Sequence, residues 1–428
     1  MSRCSTNKEA WEKIFERYNV LEEIEKNGYF KITSKQINEY REARLMTKFD
    51  NSESIPEILK KNKLSILPIT SNSYMVAKFD NYKKFEKAPK EVEKVEFPSY
   101  IESLDYNNIT SESLALNCAY ITKILENFLE EECLVPTISG KMGSGIFNFD
   151  IAQINNDQKI NVTVENSRME IDGGYEGMNS LALVEAKNVV SDDFLIRQLY
   201  YPYRLWKTKI TKSIRPIYVV YSNGIFTIYE YRFKDINEYS SIELVKCKKY
   251  SIEDTDIDLG TIQNLIDNIN NFIDEPEISF PQANSFERVI NLCELLQNSE
   301  KDKQSITENY EFVERQTNYY TDAAIYLGLV VKTGKKTKFF ELTELGKRIL
   351  SLNYKSRQLE FVKLILSHKV FHMVIKSYFY NSEMPSDDEI VKFMKECNLY
   401  KISSDTTYYR RASTIKSWIN WIVNLVIE

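Results

Sequence analysis

The segment RMEIDGGYEGMNSLALVEAKN, residues 168–188, gathers side chains that can do chemistry. It carries Asp172, then Glu185 and Lys187, with Gly173 and Gly174 directly after the aspartate. LALVEAK, residues 181–187, reads as a strand, and side chains alternate between the faces of a strand. Glu185 and Lys187 then share one face, and Ala182, Val184 and Ala186 the other. Asp172 ends the preceding strand, RMEID, so a hairpin between the two strands brings it to Glu185. Two carboxylates at one point repel unless a cation lies between them. Oxygen ligands with room for water suit Mg2+. A lysine beside them can hold and deprotonate a water or stabilise charge on a phosphate. Six of the 12 glycines fall between Gly140 and Gly177. The pair after Asp172 is expected to let a bulky backbone come close. A strand-borne Glu-x-Lys pair is most often an exposed salt bridge. This strand is otherwise apolar, so its charges lie on no obvious solvent face.

Other residues compete for such roles. Glu165, Glu170 and Glu176 lie near enough in sequence to approach a metal. Glu170 shares a strand face with Asp172 and is the main rival for the first acid. Gln198 and Tyr201, on the helix that follows, are placed to support the site. The two histidines, His368 and His372, stand four apart in HKVFH, but Lys369 replaces the glutamate of H-E-x-x-H, which predicts an ordinary helical pair. GKMGSGIFNFDI is glycine-rich without the GxxxxGK[ST] spacing of a phosphate-binding loop. It reads as a turn opening a strand, with Phe147, Phe149 and Ile151 on one face.

The elements around these residues follow from periodicity. Trp11, Ile14, Phe15 and Tyr18 have helical spacing, and Ser34 is placed to cap a short helix from Lys35. Residues 64–79 read as two short strands. Residues 110–132 read as one amphipathic helix with Leu114, Cys118, Ile121 and Leu125 as its stripe. KINVTVE, RMEID and LALVEAK read as strands, Phe194–Trp206 as a helix bent near Pro202, and RPIYVVYSNGIFTIYEYRF as a hairpin about Asn-Gly. Further on, SFERVINLCELLQ and TNYYTDAAIYLGLVV read as helices, KTGKKTKFFELT as a hairpin with Gly334 at its tip, and ELGKRILSL as a third helix. Helices followed by a basic hairpin predict a winged helix. Lys332, Lys335, Lys336 and Lys338 surround its tip as DNA contacts. In TTYYRRASTIKSWINW, Arg410 and Arg411 stand among aromatics, as in a DNA reader or in a packed terminal helix with two solvated arginines.

The predicted class is multidomain α/β. Residues 1–104 are expected to form a helical and small-strand region that can take part in DNA recognition. Residues 105–280 form a mixed-sheet core and 281–355 the winged helix. Residues 356–428 form a helical domain with a weaker resemblance to a second winged helix. The net charge is −6, but residues 281–428 hold 21 basic against 18 acidic side chains, and Lys332–Lys376 hold 11 against 3. A basic arm on an acidic protein is a footprint for a polyanion, or a solvated lysine-rich surface. The opening MSRCSTNKEAWEKIFERY carries no apolar run, and no stretch reaches 18 apolar residues, so neither a secretion signal nor a membrane span is expected. Six scattered cysteines without a C-x-x-C fit reduced thiols in a cytoplasmic protein.

Asp172 with Glu185-Ala186-Lys187 resembles the motif of the PD-(D/E)xK nuclease superfamily, and specifically type II restriction endonucleases. VEAKNVVSDDFLIRQLYYPYRLW, IYVVYSNGIFTIYEYRF and QTNYYTDAAIYLGLVVKTGKKTKFFELTELGKRIL are similar to segments of that group, as is REARLMTKFD…LSILPIT near the start. The resemblance covers most of the chain and is strongest at 140–233 and 285–350. Two departures stand out. Ile171 occupies the position of the motif's proline, and Pro202 the fourth position after Gln198, where related nucleases carry a tyrosine. The resemblance implies a restriction-endonuclease-like core and Mg2+-dependent, sequence-specific cleavage of double-stranded DNA. Asp172 and Glu185 would hold the metal and Lys187 would act on the nucleophile or phosphate. It implies a cognate DNA methyltransferase as a functional companion rather than a bound partner. One such site cuts one strand, so a homodimer, at least on DNA, is expected. Two other readings stay open: a nuclease that requires a methylated base, and a non-enzymatic winged-helix regulator that needs none of the three residues.

Overall fold

The computed structural model describes residues 4, 6–154, 156–310, 314–335 and 337–426. The protein is mixed α/β and multidomain, as its patterning predicts, and a large mixed sheet holds the residues singled out above.

The amino-terminal part packs α1 (Asn7–Arg17) and α2 (Val20–Asn27) against β1 (Phe30–Thr33), α3 (Ser34–Asn38), α4 (Ala43–Thr47), α5 (Glu57–Lys61), β2 (Ser65–Pro68) and β3 (Ser73–Ala77). The strands pair in the order β1-β3-β2. Trp11, Ile14, Val20, Ile37, Met46 and Leu59 fill its core. The α3 cap lies one residue before the predicted one. Thr33, not Ser34, takes the Gln36 N–H, and Gln36 returns the bond to the Thr33 N–H. A glutamine three residues after the hydroxyl selects that register.

The central part adds β4 (Tyr82–Lys84), β5 (Glu93–Lys94), α6 (Glu112–Ile121), α7 (Ile124–Leu129), β6 (Val135–Gly143), β7 (Ile146–Gln153), β8 (Asn156–Glu165), β9 (Arg168–Glu176), β10 (Ser180–Lys187), β11 (Asp193–Leu195), α8 (Arg197–Lys207), β12 (Ser213–Ser222), β13 (Ile225–Phe233) and β14 (Ile242–Ser251). Seven strands form one sheet in the order β5-β14-β13-β12-β10-β9-β6. β10 is antiparallel to β9 and parallel to β12, because α8 carries the chain back over the sheet between them. β10 is therefore covered on both faces. Leu181 and Leu183 meet α8 and the β7–β8 hairpin, while Ala182, Val184 and Ala186 meet α6 and α7. Each buried leucine contributes about 1.5–3 kcal/mol. The hairpin at Asn223-Gly224 stands as predicted, both residues having positive φ.

Three expectations change here. The single helix over 110–132 is two, broken where Lys123 turns left-handed (φ +59°). Its buried face is Ala115, Leu116, Cys118 and Ala119, while Leu114 and Ile121 are only half-buried. Phe194 lies on the short strand β11, paired with β4, and the helix starts at Arg197.

The carboxy-terminal part comprises α9 (Leu259–Asn268), α10 (Phe286–Leu295), β15 (Lys301–Asp302), α11 (Lys303–Tyr310), α12 (Glu314–Tyr326), β16 (Val330–Thr333), β17 (Phe339–Leu342), α13 (Glu344–Leu350), α14 (Tyr354–Ser367), α15 (Lys369–Asn381), α16 (Asp387–Lys395) and α17 (Asp405–Asn424). Three strands pair in the order β15-β17-β16. One hydrophobic core runs from Ile257 to Ile422, straight across the boundary predicted at 355/356. Among the described residues, 356–426 hold helices and no β-hairpin, so a second winged helix has no wing there. His368 and His372 are core residues. His368 stacks on Tyr326 at 4.1 Å, and His372 Nε2 lies 3.0 Å from the Ile266 carbonyl. No described helix is long and apolar enough to cross a membrane.

Candidate functional site

β9 and β10 pair with Gly173 opposite Val184 and Gly174 opposite Leu183. One further step of that register sets Asp172 opposite Glu185. The Asp172 Oδ2 accepts the Ala186 N–H at 2.8 Å, which fixes the carboxylate across the strand pair. Glu185 Oε1 accepts from Lys187 Nζ at 2.6 Å and from Gln198 Nε2 at 2.5 Å. Strand alternation supplies the lysine, and the first turn of α8 supplies the glutamine. Asp172 is half-buried, Glu185 and Gln198 are buried, and Glu170 is exposed on the Asp172 face.

The glycines after Asp172 make room for neighbouring side chains rather than for a bulky backbone. A Cβ on Gly173 would meet the Tyr175 ring at 2.8 Å and Leu116 at 3.2 Å, and one on Gly174 would meet Ile138 at 2.7 Å. They let α6 and β6 close onto β9. Gly177 makes room for Glu131. That carboxylate binds the Asn179 N–H, the Ser180 N–H and the Ser180 hydroxyl, and so closes the turn that sets the register.

Two acids that sequence reading did not find complete the surroundings of Lys187. Asp50 Oδ2 and Glu112 Oε1 each lie 3.8 Å from its Nζ. Glu112 stands in the first turn of α6, where an acid reads as an ordinary cap, and Asp50 comes from the amino-terminal part. No local pattern ties either to Lys187. Burial pushes the Glu185 carboxyl up to about 8, and Asp172 and Asp50 add repulsion against the opposing pull of Lys187. Burial alone would lower the Lys187 pKa. Glu185, Asp50 and Glu112 outweigh it and hold the group well above its ordinary value, as an ammonium.

Among the described residues no three His, Cys, Asp or Glu side chains form a group able to enclose a metal ion. Mg2+ asks less, since it keeps several waters and needs one or two carboxylates. Hydrogen bonds occupy Asp172 Oδ2 and Glu185 Oε1, and among the described residues no donor reaches Asp172 Oδ1 or Glu185 Oε2. Gln198 Oε1 is buried and without a donor, as a site completed by water would leave it. The residues present fit a hydrated divalent cation.

These side chains line a cleft of about 1040 Å³ between the amino-terminal part and the central sheet. Its walls carry Arg44, Lys48, Lys141, Arg168 and Arg197, and also Glu42, Asp50, Glu112 and Glu170. The cleft brings together Asp172, Glu185, Lys187, Gln198 and Glu170. The residues predicted to touch DNA line other surfaces. Lys332 and Lys335 are exposed, Lys338 bonds the Gly334 carbonyl at 2.9 Å, and Lys336 lies outside the described residues. On α17, Arg410 is exposed and Arg411 half-buried, while Trp418 is fully buried and bonds the Ala283 carbonyl.

Three family profiles match the chain, and each is described as a domain of unknown function: DUF6996 over residues 8–76, DUF6997 over 77–251 and DUF7226 over 288–427. No curated protein and no solved structure matches it. The profile boundaries place residues 77–104 with the central part, where β4 and β5 pair with its strands.

Proposed function

We propose that the protein is a Mg2+-dependent, sequence-specific endonuclease for double-stranded DNA, a type II restriction enzyme acting in the cytoplasm beside a cognate methyltransferase. The observation that carries this reading is Asp172 opposite Glu185, with Lys187 on the same face, in a cleft lined by both basic and acidic side chains. In this reading the mixed sheet is a restriction-endonuclease-like core. The order α10, β15, α11, α12, β16, β17 supports a winged helix, with α12 and the lysine-bearing turn facing DNA.

Asp172 and Glu185 would hold the metal, which when bound supplies Lewis acidity and an acidified water. Gln198 fixes Glu185. Lys187, kept as an ammonium, stabilises charge building on the phosphoryl oxygens rather than taking a proton. Water attacks phosphorus in line and loses its proton to solvent. The bond to the 3′ oxygen breaks, and that oxygen is protonated. One site of this kind serves one strand, so two copies act on a palindromic target. The mass of the protein–DNA complex tests that stoichiometry, and a monomeric complex competent in double-strand cleavage would exclude it.

The direct test is digestion of plasmid DNA from methylating and non-methylating hosts, with the fragment ends sequenced. Discrete fragments with one shared end sequence, formed with Mg2+ and not with EDTA, are expected from unmethylated DNA. Cleavage of methylated DNA alone would replace the reading with a modification-dependent nuclease. No cleavage of either DNA would overturn it.

A further inference from the structure

Among the amino-terminal residues that line the cleft, Asp50 lies beside Lys187, at the start of the loop Asp50–Glu53. Asp50 is buried, at 4% exposure, with Oδ2 3.8 Å from Lys187 Nζ and 3.4 Å from Lys48 Nζ. The loop backbone is fixed on both sides. The Leu195 N–H donates to the Asp50 carbonyl at 2.8 Å, the Tyr82 hydroxyl to the Phe49 carbonyl at 2.9 Å, and the Ser52 N–H to Asp193 Oδ1 at 2.8 Å. At its far end Glu53 accepts from Arg288 at 2.7 Å and Gln316 at 2.9 Å, both in the carboxy-terminal part. A buried carboxylate is costly unless a cation compensates it. Lys48 does so from the same part of the chain and Lys187 from the central sheet.

We propose that Asp50 is a positioning residue for Lys187, so that the amino-terminal domain forms part of the reaction centre. This rests on the nuclease reading for its purpose, though not for its geometry. Lys187 is held most closely by Glu185, at 2.6 Å. A cation bound to Glu185 would draw on that same carboxylate and weaken its hold on the ammonium. Asp50 sits on a separately anchored loop and stays beside Lys187 whatever Glu185 binds. The same loop ends on Arg288 and Gln316, and Gln316 belongs to α12, the helix assigned above to DNA. Movement of α12 on DNA would therefore be felt at Lys187 through four consecutive residues.

The test uses the full chain and the variants Asp50→Asn, Asp50→Glu, Lys187→Met and Asp50→Asn with Lys187→Met. Two readouts are taken: thermal melting in EDTA, and single-turnover cleavage alongside DNA affinity. Asp50→Asn should slow cleavage about tenfold to hundredfold while DNA affinity stays within about twofold, the signature of a misplaced group rather than a lost contact. Asp50→Glu should restore part of the rate. In EDTA the two single substitutions should be non-additive in melting temperature, because each removes the same pair. Additive melting shifts, or a wild-type cleavage rate in Asp50→Asn, would overturn the assignment. If the wild-type protein cuts no DNA, the nuclease reading falls, while the melting cycle still decides whether Asp50 and Lys187 are coupled. Should Asp50→Asn lose its cooperative melt, Ser52→Ala carries the test. It removes one anchor of the loop and should slow cleavage about threefold at unchanged DNA affinity, and an unchanged rate would overturn the assignment.

Discussion

Glu185 offers one oxygen to two donors, and this arrangement decides how the neighbouring residues act. Lys187 and Gln198 both bond Oε1, and under the proposed function Oε2 is the oxygen that would meet the cation. Gln198→Ala removes one of the two donors without touching the charge. Partners that orient a metal ligand typically contribute tenfold to hundredfold to metal affinity or activity, so the Mg2+ concentration at half-maximal cleavage should rise about tenfold. An unchanged Mg2+ dependence in a cleavage titration would show that Gln198 does not orient Glu185. The sequence placed Asp172, Glu185 and Lys187 together because strand alternation and a hairpin are local rules. It did not place Asp50 or Glu112, whose approach to Lys187 depends on how separate layers of the protein pack.

At the scale of elements, His372 shows how a side chain read as ordinary still has a pH signature. Burial lowers its pKa below the ordinary 6.5, and the neutral ring donates Nε2–H to the Ile266 carbonyl. The unfolded chain takes up that proton below about 6.5 and the folded chain does so only at lower pH. The stability held above 6.5 is therefore lost as pH falls through that value. Thermal melts between pH 7.5 and 5 should show a falling melting temperature that His372→Gln makes less steep. Parallel slopes for the two proteins would contradict this. The strands β8, β9, β10, β12 and β13 were legible from period-two patterning, and the hairpin turn from Asn223-Gly224. The break at Lys123 was not, because TKI carries no glycine or proline and only the packing of α6 and α7 on the sheet requires a turn there. β11 was hidden because three residues show no period. The glycines at 173 and 174 were visible, but their reason was not. They pack against Leu116, Tyr175 and Ile138, which sequence order does not bring near.

For the whole molecule, polar contacts tie the carboxy-terminal part to the segment that leaves Lys187 and to the β12–β13 turn. The buried Asn291 of α10 donates to the Asn188 carbonyl at 2.8 Å and accepts the Val190 N–H at 3.0 Å. Glu294, one turn on, accepts from the Ser222 hydroxyl and the Asn223 N–H, both at 2.7 Å. The carboxy-terminal domain thus grips both the exit of β10 and the β12–β13 turn. Asn291→Ala should speed amide exchange at Val190, whose N–H loses its acceptor, while exchange within β10 is unchanged. Equal protection at Val190 in both proteins would remove this grip from the account. The central claim is that Asp172 and Glu185 hold a metal for phosphodiester cleavage and that DNA binding rests elsewhere. Its most direct measurement is single-turnover cleavage of an end-labelled duplex across a Mg2+ titration, by wild type and Asp172→Ala, with DNA affinity recorded in EDTA. Wild type is expected to cleave with Mg2+ and Asp172→Ala not at all, with equal DNA affinity for both. Full cleavage by Asp172→Ala would contradict the claim and transfer the role to Glu170.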